Sequence, residues 1–129
     1  MFEIIFLISI SLYFLQLIVF TIGAGKKYKK LPDDKLPSVT VVVAARDEEK
    51  NILDCLQSLD KLIYPDGKIE IIIVNDHSTD STGKIIESFI KDKPRFKTLI
   101  PEGSIGSLRG KTNALANAIK ISSGEVILT

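Results

Sequence analysis

A chain of 129 residues is the size of one domain, and its 17 basic against 16 acidic side chains leave a formal net charge of +1, which argues against a nucleic-acid-binding surface. The single cysteine, Cys55, excludes an internal disulfide and any cysteine-based zinc cluster, and fits a reducing compartment. The single histidine, His77, has no visible partner for a histidine metal site or a Ser-His-Asp triad, and reads as a turn residue.

From position 4 to position 25 no residue is charged, and the polar members are Ser9, Ser11, Gln16 and Thr21. That run is long enough to cross a hydrocarbon core, which needs about 20 apolar residues. Glu3 is the only charge before it, whereas Lys26, Lys27, Lys29 and Lys30 follow at once. The positive-inside tendency then places the rest of the chain in the cytoplasm, and the lysines also suit anionic lipid. The competing readings are a buried core helix and a cleaved signal peptide, which wants a basic start, a shorter apolar core and a small-residue cleavage site. Residues 1–25 are therefore expected to be a transmembrane anchor, and residues 26–37 a basic linker without a period.

Beyond the linker, Val39-Thr40-Val41-Val42-Val43-Ala44-Ala45 is a β-branched run and predicts a strand. Arg46-Asp47-Glu48-Glu49 opens the element that follows, and acidic residues there suit a first helical turn. Ile52, Leu53, Leu56, Leu59 and Ile63 recur at helical spacing, until Tyr64-Pro65-Asp66-Gly67 stops the helix, and Cys55 is expected to pack within it.

The second predicted strand, residues 69–74, ends abruptly in Asn75, Asp76, Ser78 and Asp80. Such a run is a buried parallel strand opening through a polar turn into a helix, here residues 80–91, with Ile85, Ile86, Phe89 and Ile90 on one face. Ligands of open α/β sheets sit at the carboxyl ends of strands, which is where Asp76 falls. Asp76 and Ser78 can equally well satisfy turn and helix-start amides.

Residues 96–100 predict a third strand, residues 101–109 a loop, and Ala114, Leu115, Ala118 and Ile119 a third soluble helix ending near Ser122-Ser123-Gly124. The closing Glu125-Val126-Ile127-Leu128-Thr129 reads as the start of a buried strand, so the chain is expected to be a truncated piece. Strands alternating with helices at this spacing give an α/β fold with a Rossmann-like parallel sheet over residues 38–129.

Gly106-Ser107-Leu108-Arg109-Gly110-Lys111-Thr112 imitates a phosphate-binding P-loop, but Ile105 stands where that pattern requires its first glycine. Lys111 at a helix start can still attract phosphate, or be an ordinary solvated lysine. No dinucleotide fingerprint follows the first strand, which weakens a dehydrogenase reading.

Three segments in order carry a resemblance: residues 37–48 with Ala45-Arg46-Asp47-Glu48, then Val74-Asn75-Asp76-His77-Ser78-Thr79-Asp80-Ser81-Thr82, then Gly110-Lys111-Thr112-Asn113-Ala114-Leu115. Residues 38–129 are similar to the nucleotide-binding half of a family 2 glycosyltransferase with the GT-A fold. The basic-flanked anchor in front resembles the membrane-bound members of that family.

The resemblance implies that Ala45, Arg46 and Glu48 lie along the nucleotide. It implies that Asp76 accepts a hydrogen bond from a uracil-type base and that Lys111 offsets diphosphate charge. The implied reaction of the full-length protein is inverting transfer of a sugar from a nucleotide sugar, with a UDP-sugar as expected donor, to an acceptor hydroxyl at the cytoplasmic membrane face. The implied Mg or Mn ligands and the general base are expected beyond Thr129, so no metal is assigned to residues present and this chain alone is expected not to turn over. The expected partners are the nucleotide sugar and the lipid bilayer, not nucleic acid; donor sugar and acceptor stay open. The alternatives are an inactive membrane-tethered nucleotide-binding module and, behind it, a P-loop-like enzyme.

Overall fold

The computed structural model describes residues 2–26 and 30–129. Lys27, Tyr28 and Lys29, and with them half of the expected lysine cluster, lie outside the described residues. The chain divides into two compact units, Met1–Leu31 and Pro32–Thr129.

The first unit is a single helix, α1 (Phe2–Ala24), long and apolar enough to cross a membrane. Its length is about 35 Å at the rise of an α-helix. The hydroxyls of Ser9, Ser11 and Thr21 donate to the carbonyls of Ile5, Leu7 and Leu17 at 2.8–2.9 Å. Each hydroxyl proton is thus satisfied within the helix, as an apolar surrounding requires.

The second unit runs β1 (Val39–Ala45), α2 (Ile52–Asp60), β2 (Ile69–Asn75), α3 (Thr82–Ile90), β3 (Phe96–Leu99), α4 (Gly110–Ile121) and β4 (Val126–Leu128). All strand pairs are parallel, in the order β3-β2-β1-β4. The β-branched residues of β1 and β2 pair without offset from Val39↔Ile69 to Ala45↔Asn75. Alternation then sends Ile71, Ile73 and Ala45 to one face, against Ile52, Leu56 and Ile86 of α2 and α3. Val42, Ile72 and Val74 face Ala114 and Ala118 of α4 on the other. Burying a side chain such as Leu56 or Ile73 stabilises the fold by about 2–3 kcal/mol, and the two covered faces account for the continuous apolar runs.

The same alternation places Thr40 and Glu70 at the foot of the α4 face, where both are buried. Thr40 Oγ1 donates to Glu70 Oε2 at 2.9 Å and accepts the Gly124 amide at 2.9 Å. The Ser123 amide donates to the same Glu70 oxygen at 3.1 Å, and Lys97 Nζ pairs with Glu70 Oε1. Burial alone would raise the Glu70 carboxyl, but the bonds from Lys97, Ser123 and Thr40 outweigh it and hold its pKa at about 2.

Three expectations need correction. Glu48 and Glu49 do not lie in a first helical turn, because Asp47 takes a left-handed backbone at φ +53° and delays α2 to Ile52. The helix also ends at Asp60, and Ile63, expected on its apolar face, is 100% exposed. β4 is an edge strand, paired with β1 on one side only, and its residues are all exposed rather than buried. Within the expected linker, Asp33–Lys35 forms a 3-10 turn whose carbonyls of Asp33 and Asp34, with that of Leu36, accept from Lys68 Nζ at 2.8–3.0 Å.

Candidate functional site

β1, β2 and β3 are laid down in one direction across the sheet, and the chain then returns past β1 to add β4. The order therefore reverses beside β1, and the carboxyl ends of the strands around that point form the crevice in which open α/β sheets hold ligands.

Two short loops rise from this end. The Asp76 amide donates to the Ala45 carbonyl at 2.9 Å, extending the β1–β2 pairing one step beyond the strands. Arg46 and Asp76 thus follow the alternation of Ala44 and Val74, toward the face that α4 covers. Arg46 Nη1 stands 3.9 Å from Asp76 Oδ2, and the Asp76 side chain is 13% exposed against 62% for Arg46. His77, at φ +58°, turns the chain away and leaves its Nδ1 3.4 Å from Asp76 Oδ1.

The turn amides here are satisfied by groups other than the Asp76 carboxylate. Ser78 donates its amide to Asn75 Oδ1 at 3.0 Å, and Thr82 donates to Asp80 Oδ1 at 2.9 Å. Asn75 reaches that position because Gly83 makes room, a β-carbon there falling 2.8 Å from Asn75 Nδ2. Asp80 has its pKa lowered, chiefly by the Thr82 hydroxyl hydrogen bond. Ser78 does act as a turn acceptor, for the Asp47 amide at 3.1 Å. Among the described residues Asp76 accepts no backbone amide, and its polar neighbours are Arg46 and His77.

Of the residues named from sequence, Ala45, Arg46 and Asp76 come together. Ala45 is a buried strand end that meets Asp76 through its carbonyl, its side chain being packed on the α2 and α3 face. Glu48 is turned elsewhere: its amide donates to Thr82 Oγ1 at 2.8 Å, and its Oε2 accepts from Asn51 Nδ2 at 2.9 Å. Lys111 lies in the first turn of α4, exposed, at a helix start that has no side-chain cap. Antiparallel to the strands it covers, α4 begins at their carboxyl ends, so its free amides and Lys111 belong to the same end of the sheet.

Sequence reading missed the side chains that build the loops. Asn113, buried in α4, accepts the Ile105 amide at 2.9 Å and donates to the Gly103 carbonyl at 3.0 Å, folding residues 103–105 onto the helix. That arrangement replaces the amide ring of a P-loop, with Gly106 and Gly110 at φ +60° and +52° making the turns. Cys55 is half-buried in α2, and burial pushes its thiol pKa up, away from reactivity. No group of three metal-ligating side chains comes together among the described residues.

A sequence model for the family described as Glycosyl transferase family 2 matches residues 40–129. A probable glycosyltransferase of Bacillus subtilis (strain 168), YdaM, is 32% identical over 135 residues, covering 95% of this chain and 32% of its own length. Beta-monoglucosyldiacylglycerol synthase of Nostoc sp. (strain PCC 7120) is 34% identical over 102 residues, covering 79% of this chain and 21% of that protein. Among solved structures, the mannosyltransferase PcManGT of Pyrobaculum calidifontis, in complex with GDP-Man and Mn2+, superposes with a TM-score of 0.65 at 26% identity, over 88% of this chain and 33% of that one. This chain thus spans from 21% to 32% of the length of these two curated relatives.

Proposed function

The chain belongs to glycosyl transferase family 2, and from that premise we propose that it is the nucleotide-recognising part of a membrane-anchored transferase. The enzyme moves a sugar from a UDP-sugar to an acceptor hydroxyl, with inversion at the anomeric carbon. The observation that carries this reading is Asp76: a largely buried carboxylate at the carboxyl end of the sheet, beside Arg46, whose oxygens no backbone amide occupies among the described residues.

A carboxylate can accept only, and the ring N–H of uracil is a donor of matching geometry. The Arg46 guanidinium, 3.9 Å away, fixes the orientation of the carboxylate and contributes a planar cation along the nucleotide. Ala45 contributes through its backbone: its carbonyl holds the Asp76 amide at 2.9 Å, while its side chain packs on the α2 and α3 face. Lys111 and the uncapped amides of α4 offset the diphosphate charge. Glu48, its amide held by Thr82 and its carboxylate by Asn51, would have to turn to meet the nucleotide.

Mg or Mn on the departing diphosphate would supply charge stabilisation in the complete protein. Among the described residues no three metal-ligating side chains come together, and no ligand of such an ion is assigned to them. The apolar length of α1 and the lysines that follow it in the sequence support a reading in which the second unit works at the cytoplasmic face of the bilayer.

The test is calorimetry of UDP and GDP against the 129-residue chain in lipid nanodiscs, with Asp76→Ala and Asp76→Asn beside it. UDP is expected to bind, and loss of a charge-assisted hydrogen bond to weaken it by about 10- to 100-fold in Asp76→Ala. Equal UDP binding by parent and Asp76→Ala would remove Asp76 from the site, and preference for GDP would reassign the donor.

A further inference from the structure

The loops after β1 and β2 hold one another through reciprocal hydrogen bonds. The Asp47 amide donates to Ser78 Oγ at 3.1 Å, while Asp47 Oδ1 accepts the Thr79 amide at 2.7 Å and the Thr79 hydroxyl at 3.2 Å. Glu49 repeats the exchange: its amide donates to Asp80 Oδ2 at 3.1 Å, and its Oε2 accepts the Ser81 amide at 3.1 Å. Between these, the Glu48 amide is satisfied by the buried Thr82 hydroxyl. Side chains that satisfy turn amides are ordinary. Here, however, they belong to the opposite loop, and the residues at the pivots, Asp47 and His77, both adopt a left-handed backbone that side chains disfavour.

Those pivots follow directly after Arg46 and Asp76. We propose that Asp47 is a positioning residue for nucleotide recognition, with Glu49 in support. By locking the Thr79 amide, its carboxylate fixes the turn in which Arg46 and Asp76 face each other before any ligand arrives. Binding then does not have to order the loops, and affinity rises by the ordering cost avoided. The assignment rests on the reading of Asp76 as the base contact. A merely structural role would alter stability and leave the affinity of the folded protein unchanged.

Two substitutions at one position separate the possibilities. Asp47→Asn keeps a side-chain acceptor for Thr79 and tolerates the left-handed backbone, whereas Asp47→Gly suits that backbone and removes the acceptor. In the 129-residue chain in nanodiscs, hydrogen exchange over residues 78–82 without ligand and calorimetric UDP affinity are measured for each, with thermal melting as the check of folding. Asp47→Asn is expected to keep both properties within about two-fold of the parent; Asp47→Gly is expected to exchange faster and bind UDP about 5- to 10-fold more weakly, for one lost hydrogen bond. Should Asp47→Gly fail to fold, Glu49→Ala reads out the same claim from an exposed side chain, with Glu49→Gln restoring affinity.

Parental UDP affinity in the folded acceptor-deleted variant, or weakening in Asp47→Asn equal to that in Asp47→Gly, would overturn this assignment alone. Absence of UDP binding by the unaltered chain would overturn the site reading together with it.

Discussion

Gly124 lies directly against the backbone of Thr40: a β-carbon on Gly124 would stand 2.5 Å from the Thr40 nitrogen and 2.7 Å from the Val39 carbonyl carbon. No side chain fits there, since the obstruction is the main chain of the central strand. Gly124→Ala is therefore expected to push the segment before β4 off β1 and to cost about 2–3 kcal/mol, the upper range for overpacking. Urea unfolding followed by circular dichroism measures it. Gly83→Ala meets only the Asn75 amide group and is expected to cost about half as much.

The Glu70 carboxyl makes the stability of the sheet acid-sensitive. Its pKa is held at about 2 against an ordinary 4.5, so between those values the unfolded chain binds the extra proton. The contribution, up to about 3 kcal/mol, is fully present above the ordinary value and is lost as pH falls toward the folded one. Glu70→Gln is expected to lower the urea midpoint at about pH 6 and to flatten its decline toward about pH 3. An unchanged decline would assign the acid sensitivity to other carboxylates.

Arg95 closes the carboxyl end of α2. Its guanidinium donates to the Leu62 carbonyl at 3.2 Å, to the Asp60 carbonyl, and to Asp60 Oδ1 at 3.1 Å. A lysine carries the charge but not the planar set of donors, so Arg95→Lys is expected to destabilise the fold by about 1 kcal/mol. Differential scanning calorimetry checks this, and a melting temperature equal to the parent's would mean that the charge alone suffices.

Lys111 distinguishes a phosphate contact from a solvated lysine. Lys111→Gln is expected to weaken UDP binding by about 3- to 10-fold and to leave uridine binding unchanged. The difference is expected to shrink as salt rises from about 0.05 M to about 0.5 M, because an exposed ion pair is screened. Equal losses for UDP and uridine would place Lys111 near the base or ribose instead.

Much of the sheet is legible because parallel strands covered on both faces must be apolar throughout, and β1 spans the same Val39–Ala45 run that the sequence marks out. The start of α2 is not legible, since Glu48 and Glu49 suit a helix start as well as a turn, and only Asp47's bonds to the other loop decide between them. Asp76 stands out locally as the acid that ends a buried strand. Its approach to Arg46 depends on the pairing of Ala45 with Asn75, a relation across 30 residues that no local pattern encodes. The same holds for Glu70, an acidic residue inside an apolar strand whose partners come from Thr40, Lys97 and Ser123.

The place of β1 in the sheet also fixes an order of events during synthesis. Val39 meets Ile69 on one side after 30 residues, and Val126 on the other only after 87. At a ribosomal rate of about 5–20 residues per second, the second edge of the nascent β1 waits on the order of ten seconds for its native partner. Throughout that interval its amides and carbonyls are open to any passing strand, which makes this edge the place where mispairing starts. Substitutions that loosen the return of β4 will accordingly tell first on the yield of soluble protein made at high expression, before they tell on the melting of the protein that has matured.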